Sequence, residues 1–267
     1  MEIDEHIAIV RREGERLADV AGQTSFDADV GTCPGWTIRD LVRHVGGIHS
    51  WATAHVSKSR SGRFDPFEEM EGRWPSDDAL LEWFRAGHHK LVSALESAPD
   101  DLECFTFLKA PSARAFWARR QAHETGMHRA DAESAGAGIT PFAPEQAVDG
   151  IDELLFGFMA RPGQRLRTEH ARVLQLSAID AAAAWQVRTR QDEPVVTRGL
   201  DGEADLRVTA TASDLFLLVW NRRAQDGLDV VGDTSLLDLW RQSVFVRWRL
   251  LRAELSGDGC RGCGSAY

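Results

Sequence analysis

The segment His123-Glu-Thr-Gly-Met-His128 sets a carboxylate and an imidazole, Glu124 and His128, four residues apart. Four residues is close to one helical turn, so on a helix both side chains leave from one face. Far upstream, Thr37-Ile-Arg-Asp-Leu-Val-Arg-His44-Val-Gly-Gly47 carries a further imidazole. A second helix can bring His44 to the face of Glu124 and His128. Two nitrogens and one carboxylate oxygen leave a position open for a water or a substrate atom, the ligand set of a catalytic divalent-metal site. Zinc is the first expectation, and the same set can hold other divalent ions. The open position could lower the pKa of a bound thiol or water, or polarise a carbonyl.

Each residue has a plainer reading beside this one. His44 shares a helix face with Leu41, Ile48 and Trp51, where a core histidine with a hydrogen-bond partner would serve equally well. Trp117, Gln121, Glu124, His128 and Asp131 recur at steps of three and four; that stripe is either a solvated face with ion pairs or a ligand face. His123 and His128 lie five residues apart, roughly 140° around a helix, so they should not share an ion. Asp40 and Asp131 are candidate acceptors behind the ligands, or else solvated carboxylates. His49, His55, His88, His89 and His123 are secondary candidates, more simply read as packing or surface residues. Gly46 and Gly47 give either tight helix packing or clearance beside His44.

The elements that must position these groups are mostly helical in the first part of the chain. Ile3, Ile7, Val10 and Leu17 recur at near-helical spacing. Cys33-Pro-Gly-Trp36 reads as a turn. Thr37 then caps a helix reaching about residue 57, with Asp40 completing a capping box. Residues 58–75 form a long loop, a candidate lid. Ser76 and Ser112 cap two further helices, the second covering about 113–134. Four helices joined by a long crossover suit a bundle. Glu145–Met159 is helical again. Strands follow at Arg172–Ser177, Trp185–Arg190 and Asp205–Thr209. A helix over Asp214–Trp220 is capped by Ser213, Leu228–Val231 is short and apolar, and a last helix opens at Ser235. The expected fold is therefore a four-helix bundle over 1–162, a small α+β domain over 163–254, and a flexible tail over 255–267.

Composition narrows the function. The chain of 267 residues has a formal net charge of -10, which disfavours binding to nucleic-acid backbones. Its N-terminus lacks the basic and apolar regions of a signal peptide. No apolar run has the length to span a bilayer, so a soluble cytoplasmic protein without membrane partners is expected. The four cysteines do not suggest a disulfide framework at this length. Cys260-Arg-Gly-Cys263 lacks the strand and helix that flank a thioredoxin-like pair. It reads as a tail, with redox or adventitious metal roles as alternatives.

Longer stretches carry a resemblance. Thr32-Cys-Pro-Gly-Trp-Thr-Ile-Arg-Asp-Leu-Val-Arg-His-Val-Gly-Gly47 resembles the first signature of the mycothiol-dependent maleylpyruvate isomerase family. Arg120-Gln-Ala-His-Glu-Thr-Gly-Met-His-Arg-Ala-Asp-Ala-Glu133 resembles its second, with Ala130 where the family usually has tryptophan. Leu206–Ala210 and Val230–Trp240 are similar to its smaller domain. The resemblance implies a DinB-like helical bundle followed by a sterol-carrier-like α+β domain. It implies His44, Glu124 and His128 as ligands of a divalent metal, usually zinc, and mycothiol as thiol cofactor or cosubstrate. In the isomerase the thiolate adds to maleylpyruvate, the former double bond rotates, and elimination gives fumarylpyruvate. The alternatives are a mycothiol S-transferase in detoxification or natural-product biosynthesis, as in relatives that transfer mycothiol to electrophiles, and a non-enzymatic metal or small-ligand binding protein. Arginines could hold a dicarboxylate or an enolate. Arg222 stands at the family's Trp-Gly-Arg, with Asn221 in place of glycine, and Arg85 is a weaker candidate. Gly46, Gly47 and Arg223 are the expected cofactor contacts. A monomer or weak homodimer is expected.

Overall fold

The computed structural model describes residues 1–62, 74–136, 138–163 and 165–245. Most of the loop expected as a lid, residues 63–73, and the whole tail with Cys260 and Cys263 lie outside the described residues. The chain divides into two compact units, one over Met1–Thr140 and the next over Pro141–Val246.

The first unit is a helical bundle of the DinB-like kind. Its helices are α1 (Ile3–Gln23), α2 (Ile38–Lys58), α3 (Asp77–Ser97) and α4 (Ala113–Glu133). α1 packs along α4 and α3, and α2 packs along α3 and α4. α2 begins where its box dictates. The Thr37 hydroxyl oxygen accepts from Asp40 N–H, and the Asp40 carboxylate accepts from Thr37 N–H at 2.9 Å, meeting donors that a helix start otherwise leaves unpaired. α4 begins at Ser112, whose side chain accepts from Ala115 N–H at 3.1 Å.

α4 is the axis of the unit. From Arg120 to Ala132 every residue is buried, charged ones included. The stripe of Trp117, Gln121, Glu124, His128 and Asp131 is thus an interior face, which removes its solvated reading. Interior charge on α4 is matched by neighbours. Arg129 donates to Glu13 of α1 and to Glu133, both at 2.7 Å, and to the Thr140 carbonyl at 2.7 Å.

The second unit is α+β. Helix α5 (Pro144–Asp152) continues as a π-helical turn over Glu153–Phe158. Strands β1 (Arg172–Ala178), β2 (Ala184–Thr189), β3 (Val195–Arg198), β4 (Leu206–Ala210) and β5 (Asp229–Gly232) form one mixed sheet ordered β3-β2-β1-β4-β5. The β1–β4 pair is parallel and the others antiparallel. Helices α6 (Ala212–Val219) and α7 (Ser235–Ser243) complete it. Buried Leu174, Leu176, Leu206 and Val208 build the sheet's share of the core.

Two details differ from the sequence expectation. The units divide at Thr140/Pro141, ahead of the expected 162/163, because α5 packs on α6. Phe142 stacks edge-on to Phe216 at 4.9 Å, and the Trp220 indole donates to the Gly150 carbonyl at 3.2 Å. The cap of α6 is Thr211, which accepts from Asp214 N–H at 3.1 Å. Ser213 instead accepts from Phe142 N–H at 3.0 Å.

Candidate metal centre

His44 stands two turns into α2, and Glu124 and His128 one turn apart on α4. All three are buried, with one nitrogen or oxygen of each within 4.8 Å of the others. Glu124 Oε1 lies 3.3 Å from His128 Nε2 and 3.6 Å from His44 Nε2. Glu124 Oε1 is sealed from solvent and makes no hydrogen bond. Ligands about 2.0–2.1 Å from a tetrahedral ion stand about 3.3 Å from one another. The spacing is long for hydrogen bonds and suits the edges of a coordination polyhedron. The residues present therefore fit a divalent cation.

The groups behind the three fix their states. The other Glu124 oxygen, Oε2, accepts from Arg120 at 3.0 Å one turn earlier. His128 Nδ1 meets Asp131 Oδ2 at 2.8 Å. That carboxylate accepts, so a proton sits on Nδ1 and Nε2 is the nitrogen turned to Glu124, free to ligate once it gives up any second proton to a bound cation. Asp131 is itself held, since the Thr32 hydroxyl donates to Oδ1 at 2.6 Å. Thr32 belongs to the turn before α2, whose Val30 N–H donates to the Trp36 carbonyl at 2.9 Å. Gly35 takes φ +84 there, a left-handed conformation that glycine adopts without strain.

Burial and charge set the protonation. Desolvation lowers the His44 pKa to about 4, only partly opposed by Glu124, so this imidazole is neutral at pH 7. Burial alone would raise Glu124, but His128, His44 and Arg120 outweigh it and hold the carboxyl well below its usual range. Burial opposes protonation of His128 as well, yet Asp131 and Glu124 prevail and raise its pKa. With both histidines neutral, as metal ligation requires, two carboxylates and one guanidinium leave a net negative charge that favours an added cation.

The other sequence candidates are placed elsewhere. Asp40 is committed to the helix cap rather than to a ligand. A Cβ on Gly46 would stand 2.2 Å from Trp83 Cζ3, so this glycine admits the α3 indole against α2; Gly47 is buried. Arg85 pairs with Asp19 at 2.8 Å, both partly exposed. Arg222 donates to the Trp220 carbonyl at 3.1 Å, and Arg223 is ion-paired with Asp214. Asn221 takes φ +61, which explains how it stands where glycine is expected. His49 Nε2 meets the Thr125 hydroxyl at 3.0 Å, and His88 Nε2 donates to the Arg11 carbonyl at 3.2 Å. His55 Nδ1 donates to the Arg60 carbonyl at 3.0 Å. His123 faces the His6 ring at 6.0 Å. Sequence reasoning missed Arg120 and Thr32. The i,i+4 spacing of Arg120 and Glu124 announces the first; nothing local announces the second.

Comparison with known proteins identifies the family and the fold. Residues 7–133 match the mycothiol maleylpyruvate isomerase N-terminal domain, and residues 145–239 match the C-terminal domain of the same family. The chain belongs to the mycothiol-dependent maleylpyruvate isomerase family. Its fold is similar to crystal structures of a mycothiol-dependent maleylpyruvate isomerase and of a point mutant of it. The TM-scores are 0.59 and 0.60 at 14% identity, with 86% of this chain and 93% of those chains covered. No curated protein matches the sequence. Among the described residues no helix is long and apolar enough to cross a membrane.

Proposed function

We propose that this protein is a divalent-metal-dependent enzyme that uses mycothiol, activating its thiolate for addition to, or isomerisation of, a small electrophile. The observation that carries the reading is the buried His44–Glu124–His128 cluster in a chain of this family. His44, Glu124 and His128 would hold the ion, zinc by the nature of two imidazoles and one carboxylate. The bound ion would supply Lewis acidity, stabilising S⁻ near neutral pH.

The rest is work for the polypeptide. Asp131 holds the Nδ1 proton of His128, and Thr32 holds Asp131. Arg120 occupies one Glu124 oxygen and so aims the other at the centre. The walls of α2 and α4 keep bulk water from the charged groups, which strengthens their electrostatics. Arg222 is the proposed contact for a substrate carboxylate or a developing enolate, and Arg223 a contact for the thiol cosubstrate; the exposed Arg85 is the weaker choice.

The test incubates metal-loaded protein with mycothiol and a panel that includes maleylpyruvate and alkylating electrophiles, followed by mass spectrometry. Multiple turnovers that vanish in His128→Ala are expected. An isomerised product of unchanged mass marks an isomerase, and a mycothiol adduct marks an S-transferase. Full thiol-dependent turnover by metal-free protein would refute the mechanism.

A further inference from the structure

Buried indole N–H groups find an acceptor. Trp117, Trp185, Trp220 and Trp240 do so, donating to oxygens at 3.0, 2.8, 3.2 and 2.9 Å. Trp36 does not. It is 2% exposed, and its Nε1 is sealed from solvent with no acceptor in the protein. Its ring lies edge-on to His44 at 4.9 Å and nearly parallel to His128 at 6.2 Å. A second unmet group is the amide oxygen of Gln121, 1% exposed and without a donor. Gln121 precedes Glu124 by three residues on α4, which brings the Cβ atoms of those two to about 5–6 Å, and it shares the stripe that carries His128.

Resting on the metal-site reading, we infer that Trp36 and Gln121 form a two-point polar subsite for the ligand of the His44–Glu124–His128 cluster. The indole N–H donates to the ligand's anionic sulfur or oxygen. The Gln121 oxygen accepts from an N–H or O–H elsewhere on the same ligand. The pair selects a thiol that also carries a hydrogen-bond donor over a plain alkyl thiol. Unmet buried groups of this kind discriminate strongly, because a ligand lacking the complement leaves them unpaired. Trp36 is fixed in place by the turn and box that start α2, so the subsite is preorganised by the element that carries His44.

The experiment uses the full chain loaded with cobalt(II), titrated with 2-mercaptoethanol and with ethanethiol. Sulfur-to-cobalt charge-transfer absorption is the readout. Wild-type protein binds 2-mercaptoethanol more tightly than ethanethiol. Trp36→Phe keeps cobalt content but weakens both thiols by about tenfold or more, as expected for loss of a hydrogen bond to a charged atom. Gln121→Leu removes the preference and leaves ethanethiol unchanged. Equal thiol affinities in wild type and both variants overturn the inference with the metal site intact. A wild-type chain that takes up no cobalt overturns the metal reading itself, and the subsite with it. A substitution-free arm follows the indole ¹H–¹⁵N resonances of the zinc-loaded protein. One of the nine tryptophans should shift on thiol addition, and none shifting contradicts the subsite.

Discussion

Two buried charge clusters on α4 invite comparison. Around Arg129 the polar valences close: two carboxylates and one carbonyl take up the guanidinium, each at 2.7 Å. One turn away, around Glu124, they do not. Glu124 Oε1, the Trp36 indole and the Gln121 oxygen are sealed from water and unmet by the polypeptide. Both clusters sit on one helix at equal depth, so burial does not distinguish them. Satisfaction does. A closed cluster ties helices together, while an open one has the form of a receptor whose missing member is a ligand.

The largest test of this contrast removes the closing member. Arg129→Ala takes the buried cation from Glu13 and Glu133, leaving them only the partly exposed Arg12 and Arg16, and should destabilise the chain by roughly 3 kcal/mol in urea denaturation. Its metal stoichiometry, measured on the folded fraction, should stay at the wild-type value. A loss of metal with little change in stability would erase the distinction. At the open cluster the opposite pattern is expected. Asp131→Ala frees the His128 tautomer and should weaken metal binding about 10–100-fold, read by competition with a chromophoric chelator, with less effect on unfolding than Arg129→Ala. Unchanged affinity would mean that the Asp131–His128 bond does no orienting.

Smaller effects sharpen the boundary between packing and site. Gly46→Ala forces a Cβ into Trp83 and should cost of order 1 kcal/mol without altering metal affinity; a selective fall in affinity would restore the clearance reading. His88 gives the pH signature. Desolvation lowers its pKa from 6.5 to about 4 in the folded protein. Between those values the unfolded chain binds the proton and the native chain does not, so stability falls as pH drops through that window. The contribution is at most ~1.4 kcal/mol per pH unit. Thermal melts of metal-free His88→Gln should show a shallower acid limb than wild type, and identical limbs would remove His88 from the account.

The parts of this molecule that obey local rules were readable in the sequence. Thr37 with Asp40, and Ser112, mark the starts of α2 and α4, and the four-residue spacing selected Glu124 with His128 over His123. Applied at Thr211-Ala-Ser-Asp214, the same box rule selects Thr211, because its third-residue acid is Asp214; Ser213 was the wrong choice by that criterion. Edge strand β3 was missed because Val195–Arg198 is short and mostly exposed, with little hydrophobic alternation to find. The burial of α4's polar stripe was open in the sequence, since a stripe that makes ion pairs in water and one that makes them in a core have the same spacing. Thr32 reaches Asp131, some hundred residues ahead, through tertiary packing alone, so that contact has no local signature. The domain division moved for the same reason, as α5's partner α6 lies some sixty residues ahead in sequence.

The central claim is that the open cluster is completed by one divalent ion. Metal analysis of the purified wild-type chain, His44→Ala and His128→Ala, each reconstituted with zinc and desalted, tests it most directly. The account predicts one ion per wild-type chain and none retained by either variant, with both variants still folded by circular dichroism. A His128→Ala protein that keeps a full equivalent, or a wild-type chain that holds none, would contradict it.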